Sequence, residues 1–313
     1  MSSENKKRDN FSPLTVIMLV ILSIYVALLL FLLLWAVMQV FKHPLDFNKN
    51  PIWFPSSEGT QHGFTTVNFG ALFAYSEKTW MGDGATRTRV GFVEIILNSV
   101  VYAVGGALVN TAVMGLMAYL TAKYEYFYSK LIYGIVIVVM VVPIVGAQAS
   151  EIQMLRYMHL YNTRFAFIVL KASFVGGVYF LVFYAAFKSI PMTYTEAAMI
   201  DGASDWCIVV RICLPLVLNV FMTVFLITFI QYWNDYQLPL VYMPDYPTLS
   251  YYIFMMKMSS QPIRGDGLKF PINAASEPLN LAAAMILIAP VLIIFIALHE
   301  RLMGNLSVGG IKG

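Results

Sequence analysis

The sequence predicts an all-α, polytopic membrane protein with six transmembrane helices. Three observations carry this. Of 313 residues, 59% are hydrophobic and only 12% charged; mean hydropathy is +0.71; and six apolar stretches approach the roughly 20 residues that cross a bilayer's hydrocarbon core. A soluble domain of this composition would lack the polar surface to cover its core, so lipid is part of the solvent. The net charge of +3 is small and the basic residues are scattered, which excludes a nucleic-acid surface.

The first stretch, residues 14–41, follows Lys6, Lys7 and Arg8. It is far longer than the roughly 7–15 apolar residues of a signal peptide and meets no small-residue cleavage site, so it is expected to remain as a span. The second and third, 92–120 and 131–149, carry Gly105-Gly106, Asn98 and Asn110, then Pro143 and Gln148. The fourth, 165–187, holds Gly176-Gly177 and one cation, Lys171; the fifth and sixth are 208–233 and 279–298, the last with Pro290. Paired glycines let helix backbones approach closely, and spans tolerate proline where neighbours satisfy the freed carbonyl. The asparagines and Gln148 suit helix-helix hydrogen bonds or the lining of a pathway. Lys171 either faces such a pathway or snorkels to the interface.

The basic N-terminal cluster favours a cytoplasmic N-terminus, and six spans then return the C-terminus to the same side. This puts loops 121–130 and 188–207 inside and segments 42–91 and 234–278 outside, all within one membrane domain, residues 1–313. The outer segments are rich in proline and aromatic residues, and such long connections are usually functional or loosely ordered. Between the third and fourth spans, SEIQMLRYMHLYNT begins with a capping box, Ser150 and Gln153. Its Ile152, Leu155 and Met158 share one helical face, which predicts a short helix lying in the outer interface.

Several chemistries are missing from the sequence. No G-x-x-x-x-G-K-[ST] loop is present to cradle nucleotide phosphates, so the chain is not an ATPase. His43, His62, His159 and His299 are far apart and form no H-E-x-x-H pattern, and no G-x-S-x-G elbow occurs. Cys207 and Cys213, six apart, suit packing better than a metal knuckle or a redox pair. No catalytic residue, metal site or bound cofactor is expected.

The stretch TEAAMIDGASDWCIVVRICLP, residues 195–215, stands apart as small and acidic between two apolar spans. Pro191 ends the fourth span, Thr193 or Thr195 can cap a new helix, and Glu196 suits its first turn. Asp201-Gly202 supplies a left-handed terminator, and Ser204 a second N-cap for a helix running toward Pro215. The result is helix, bend, helix. Ala197 and Ala198 leave the backbone open either to a partner's groove or to this protein's own spans, and Glu196 and Asp201 offer charges to an opposing Arg or Lys.

The spacing of Glu196-Ala197-Ala198, Gly202, Ile212, Leu214 and Pro215 resembles the E-A-A-x-x-x-G-x9-I-x-L-P signature of permease subunits of binding-protein-dependent ABC importers. The run QYWNDYQLPL, with Trp233, Asn234, Pro239 and Leu240, resembles a stretch of the carbohydrate-importing branch, and the terminal GGIKG resembles the ending of MalG-like permeases. The likeness covers essentially the whole chain and is strongest from about residue 92.

The resemblance implies a type I ABC importer (MetI-like) permease fold in the bacterial cytoplasmic (inner) membrane. It further implies a heterodimer with a second, MalF-like permease above two ATPase subunits that hold ATP and Mg, and an extracytoplasmic solute-binding protein that delivers a carbohydrate. Residues Glu196 to Asp201 would form the coupling helix seated in an ATPase cleft. Gly309, Gly310 and Lys312 would reach between the ATPases, and the loop 237–277 would probe the binding protein. Trp233, Asn234 and Lys171 are candidate pathway residues. Segments 76–90 and 259–273 are longer than the family's usual pattern, which suggests extra contact with a large binding protein. Rival readings are a permease for a non-sugar solute, an ion-coupled secondary transporter, and a membrane scaffold. The second would bury acids at mid-membrane, whereas Glu94 and Glu300 lie at span ends.

Overall fold

A computed structural model gives the architecture. It describes residues 13–55, 63–78, 80–81, 88–124, 126–142, 146–172, 177–258, 262–263, 272–273 and 276–303. The chain runs through helices α1 (Pro13–Val40), α2 (Pro44–Lys49) and α3 (Val67–Lys78), then a ribbon of strands β1 (Trp80–Met81) and β2 (Thr88–Arg89). Helices α4 (Phe92–Lys123), α5 (Phe127–Val141), α6 (Gln148–Tyr157), α7 (Ala166–Lys171) and α8 (Val178–Lys188) follow. Next come α9 (Met192–Ile200), α10 (Asp205–Ile208), a π turn at Val209–Cys213, α11 (Leu214–Leu216) and α12 (Leu218–Asn234). The chain closes with α13 (Gln237–Tyr242), α14 (Leu249–Met258), strands β3 (Pro262–Ile263) and β4 (Ile272–Asn273), and α15 (Glu277–Met303). Both ribbons are antiparallel, and their strands fall within segments 42–91 and 234–278.

Among the described residues, three helices are long and apolar enough to cross a bilayer: α1, α4 and α15 over Glu277–Ala297. The other expected spans are shorter or interrupted, each for a local reason. Helix α5 stops at Val141 because Val142 precedes Pro143 and takes the extended conformation such a residue prefers (φ −93°, ψ 109°). The stretch 165–187 is two helices rather than one, leaving helical geometry at Ala172 and resuming after Gly177, whose φ of +55° suits a residue without a Cβ. In the fifth, Asp205–Leu216 and Leu218–Asn234 meet at 79°. Pro215 cannot donate to the carbonyl of Arg211 and crowds it, and the turn just before it widens to π, with Leu214 N–H donating to Val209 O.

The chain separates into two compact units, Met1–Leu72 with Ser260–Met285, and Phe73–Ser259 with Ile286–Gly313. In the first, every residue of α1 from Pro13 to Leu34 is exposed. A helix apolar on all sides is stable only in lipid or inside a large core. Its far end is held by polar groups. Asn68 Nδ2 donates to the carbonyls of Val40 (2.7 Å) and Lys42 (2.8 Å), and the buried Lys42 ammonium donates to Trp53 O (3.0 Å) and to Asn50 O.

The second unit is organised on α4, which packs against α7, α8, α12 and α14. Its buried stripe combines small and polar residues, Ala103, Gly106, Ala107, Asn110, Thr111 and Ala118, at helical spacing. Toward its C-terminal end Met114, Ala118 and Tyr119 cluster with Phe180, Phe183 and Phe187 of α8; toward the other, Tyr102 clusters with Leu155, Phe167 and Tyr242. Helix α6 starts two residues before the predicted capping box, which therefore lies inside it; Leu155 is buried while Met158 is exposed.

Gly105 shows how tight the α4–α7 approach is, because a Cβ there would lie 2.7 Å from the ring of Phe167. Gly105→Val should lower stability by about 1–3 kcal/mol, the usual cost of overpacking. Adding Phe167→Leu should recover part of it, as read from the melting temperature of the protein in lipid nanodiscs.

Candidate functional site

The stretch between α8 and α12 folds as helix, bend, helix. Helix α9 ends in a two-bond cap: Ala203 N–H donates to Ala198 O (2.9 Å) and Gly202 N–H to Met199 O (3.1 Å). This pair of bonds needs a left-handed residue after the helix, and Gly202 supplies it at φ +78°. Ser204 then caps α10, its Oγ accepting from Cys207 N–H. The start of α9 differs from the sequence reading. Pro191 is the N-cap residue, no side chain caps the helix, and Glu196 lies past its first turn.

The two alanines divide the alternatives between them. Ala198 is buried in the cluster that contains Tyr119, Phe187, Ile190 and Ile208, and Thr195 is buried beside it. Ala197 and Glu196 are exposed, and so are Asp201, Met192, Tyr194, Met199 and Ile200, the last at 86%. One face of α9 therefore belongs to the bundle and the other presents apolar side chains with two carboxylates to something outside it. Ile212 and Leu214 are half-buried and Pro215 exposed, so these motif residues shape the path from bend to span.

Lys123, which sequence reasoning passed over, fixes the approach to α9. It is buried at the end of α4, and its ammonium donates to Ile190 O (2.6 Å), the carbonyl just before Pro191. A lysine at a span end reads from sequence only as an orientation signal, so nothing there marks its partner.

Of the candidate pathway residues, Lys171 is neither snorkelling nor alone. Its ammonium lies 3.6 Å from Asp235 Oδ2 and 4.0 Å from the centre of the Tyr232 ring. Tyr102 donates to the same carboxylate oxygen at 2.6 Å, and Asp235 Oδ1 accepts from Gln237 and Leu238 N–H, starting α13. Asn110 donates to Lys171 O (3.0 Å), a helix-helix hydrogen bond. Trp233 is buried, its indole donating to Leu287 O, while Asn234 is exposed with its amide on Ile230 O. Asp235 was missed because it falls just past the apolar run, where an acid looks solvated.

The start of the 234–278 segment is folded rather than loose. Tyr242 donates to Glu151 of α6, Asn162 Nδ2 to Asp245 (2.5 Å), and Arg164 pairs with Glu94 (2.5 Å). Burial first, and the Glu151 carboxylate second, push the Tyr242 phenol well above its ordinary pKa, which keeps it a donor. Among the described residues no three His, Cys, Asp or Glu side chains gather as metal ligands. Gly309, Gly310 and Lys312 lie outside the described residues.

Comparison with known proteins gives the family and the fold. A family model described as "Binding-protein-dependent transport system inner membrane component" matches residues 111–307. The diacetylchitobiose uptake permease NgcG of Streptomyces coelicolor is 25% identical, over 88% of this chain and 82% of that protein. The melibiose/raffinose/stachyose import permease MelC of Bacillus subtilis is 27% identical, over 72% of this chain and 78% of its own length. A chain from the crystal structure of a bacterial ABC transporter that imports the acidic polysaccharide alginate shares the fold. Its TM-score is 0.71 over 93% of this chain and 98% of that one, at 18% identity.

Breaking a buried ion pair from one side strands a charge, at about 3–5 kcal/mol, whereas removing both members is often close to neutral. The Lys171–Asp235 pair is mostly but not fully buried, so Lys171→Met should destabilise the protein by less than that full amount, and Lys171→Met with Asp235→Asn should restore most of the loss. Thermal unfolding of the single and double variants in nanodiscs measures the difference.

Proposed function

The chain belongs to the family of binding-protein-dependent transport system inner membrane components, and from that premise we propose that it imports a carbohydrate, probing a solute-binding protein on one side and gripped by an ATPase at α9 on the other. It is a multi-pass membrane protein and a transport subunit with no ATPase site of its own. The observation that carries the proposal is the outward face of α9. Glu196 and Asp201 flank exposed Met199 and Ile200, while Thr195 and Ala198 hold the opposite face to the bundle. A short helix exposing that much apolar surface is suited to a cleft, and its carboxylates suit an arginine or lysine on the cleft's wall.

The substrate class rests on relatives named for oligosaccharide uptake, including the two permeases above. In this reading the partner is a second, MalF-like permease, the two ATPase subunits bind ATP with Mg, and both termini are cytoplasmic. Nucleotide binding draws the ATPases together and carries α9 with them. The motion enters the bundle through the α10–α12 turn, and Lys123, holding the carbonyl of Ile190, keeps α8 in register with α4. Coupling requires only that the contacts of α9 differ in strength between two states of the bundle. In this reading Asn234, exposed at the end of α12, meets substrate, while Trp233, buried with its indole on Leu287 O, and the Lys171–Asp235 pair hold the surrounding helices in place. The tail at Gly309, Gly310 and Lys312 adds a second ATPase contact, and segments 76–90 and 259–273 add contact with the binding protein.

Glu196→Lys reverses the charge on the exposed face, and Gly202→Val puts a β-branched residue at φ +78°, a conformation costly for it. Both variants should reach the membrane yet lose at least tenfold in uptake, with ATPase subunits lost on purification or hydrolysing without transport. Normal uptake by both would sink the coupling role of α9.

A further inference from the structure

Beside the bend, the end of α4, the start of α5 and the α10–π turn enclose a cleft of about 490 Å³, within the roughly 300–1,000 Å³ of small-ligand sites. Its chemistry changes along its length. Leu116 and Leu120, one turn apart on α4 and both exposed, with the half-buried Ile132 and Val209, make an apolar wall. From Leu116 to Tyr124 the wall rises about 12 Å at 1.5 Å per residue. At the other end stand Tyr124, Tyr126, Tyr128 and Trp206, with Asp205 the one carboxylate among the described lining residues. The Tyr124 and Tyr126 rings are stacked at 6.1 Å, and Tyr124 Oη lies 3.3 Å from Asp205 Oδ1. Tyr126, Tyr128 and Trp206 are each about two-thirds exposed, as aromatic residues are at the headgroup level of a bilayer.

We infer that this cleft binds one phospholipid with an ammonium headgroup, its amine between the aromatic rings and the Asp205 carboxylate and part of an acyl chain along Leu116 and Leu120. Ring faces attract cations electrostatically, most strongly where water is excluded, and a carboxylate adds a charge-assisted hydrogen bond. An anionic headgroup would meet Asp205 as a like charge. A basic side chain from another protein could match the ring cage, but the four aliphatic residues beyond it have no counterpart in such a chain, whereas a lipid tail fits them. Asp205 is the first residue of α10, directly after the Ser204 cap. Occupancy of the cleft therefore stiffens the bend next to α9, whatever α9 docks against.

The test uses the protein purified with its natural subunits and reconstituted in nanodiscs. The fluorescence of Trp206 is isolated as the difference between the unaltered protein and Trp206→Phe. Acyl-brominated phosphatidylethanolamine should quench it at least twofold more than acyl-brominated phosphatidylglycerol at equal mole fraction. Asp205→Asn should bring that ratio to about one. Tyr126→Leu, which keeps an apolar wall, should weaken the preference while leaving quenching by the chain. Equal quenching by both lipids in the unaltered protein would mean ordinary bulk lipid, and no quenching by either would mean that another protein covers the cleft. Either result overturns the inference.

Discussion

Helices in lipid gain nothing from hiding leucine from leucine, so what holds this bundle is how closely backbones can approach along α4. The buried stripe of that helix is built for approach rather than for bulk: Gly106, Ala103, Ala107 and Ala118 leave room for the aromatic rings of α7, α8 and α12. Among the large buried side chains, Tyr102 and Tyr119 meet Phe167 and Phe187 edge to face, and Phe183 lies against Gly115, 3.9 Å from where a Cβ would stand. Dispersion and ring geometry then supply what the hydrophobic effect supplies in water.

Within that apolar frame two sets of polar groups satisfy one another. Lys171, Asp235, Tyr102 and Tyr232 share a single cluster that ties α4, α7 and the end of α12 together. Lys123 with Ile190 O does the same where α4 meets the approach to α9. The first cluster lies near the start of the 234–278 segment and the second near the bend, so the two places where the chain meets other proteins in the proposed function are each backed by a cation, partly buried at Lys171 and fully buried at Lys123. A lone cation in lipid would be costly, and each of these has a partner supplied from a distant part of the chain just past the end of a helix.

Much of this was legible in the sequence. Apolar length gave α1, α4 and α15 to within a few residues, and Gly202 with Ser204 marked the bend because each residue has a specific local task. Sequence reasoning overran where a proline or glycine interrupts an apolar run. Val142 before Pro143, Gly177 at positive φ and the turn before Pro215 each shorten or bend a stretch that hydropathy reads as continuous. It was blind to pairings across the chain. Asp235 is 64 positions from Lys171 and Lys123 is 67 from Ile190, and no local pattern links them. The division of labour between Ala197 and Ala198 was equally hidden, since one step along a helix separates the bundle from its surroundings.

The π turn at Val209–Cys213 carries one residue more than an α-helix would need over the same rise. Each residue of an α-helix rotates the chain by about 100°, so deleting one residue here would either close the bulge or swing everything before it around the axis of the Asp205–Leu216 piece by more than a quarter turn. The distance in sequence between the glycine of the bend and the following span is therefore a phase setting: it determines which compass direction the exposed carboxylates of α9 point, independently of what those residues are.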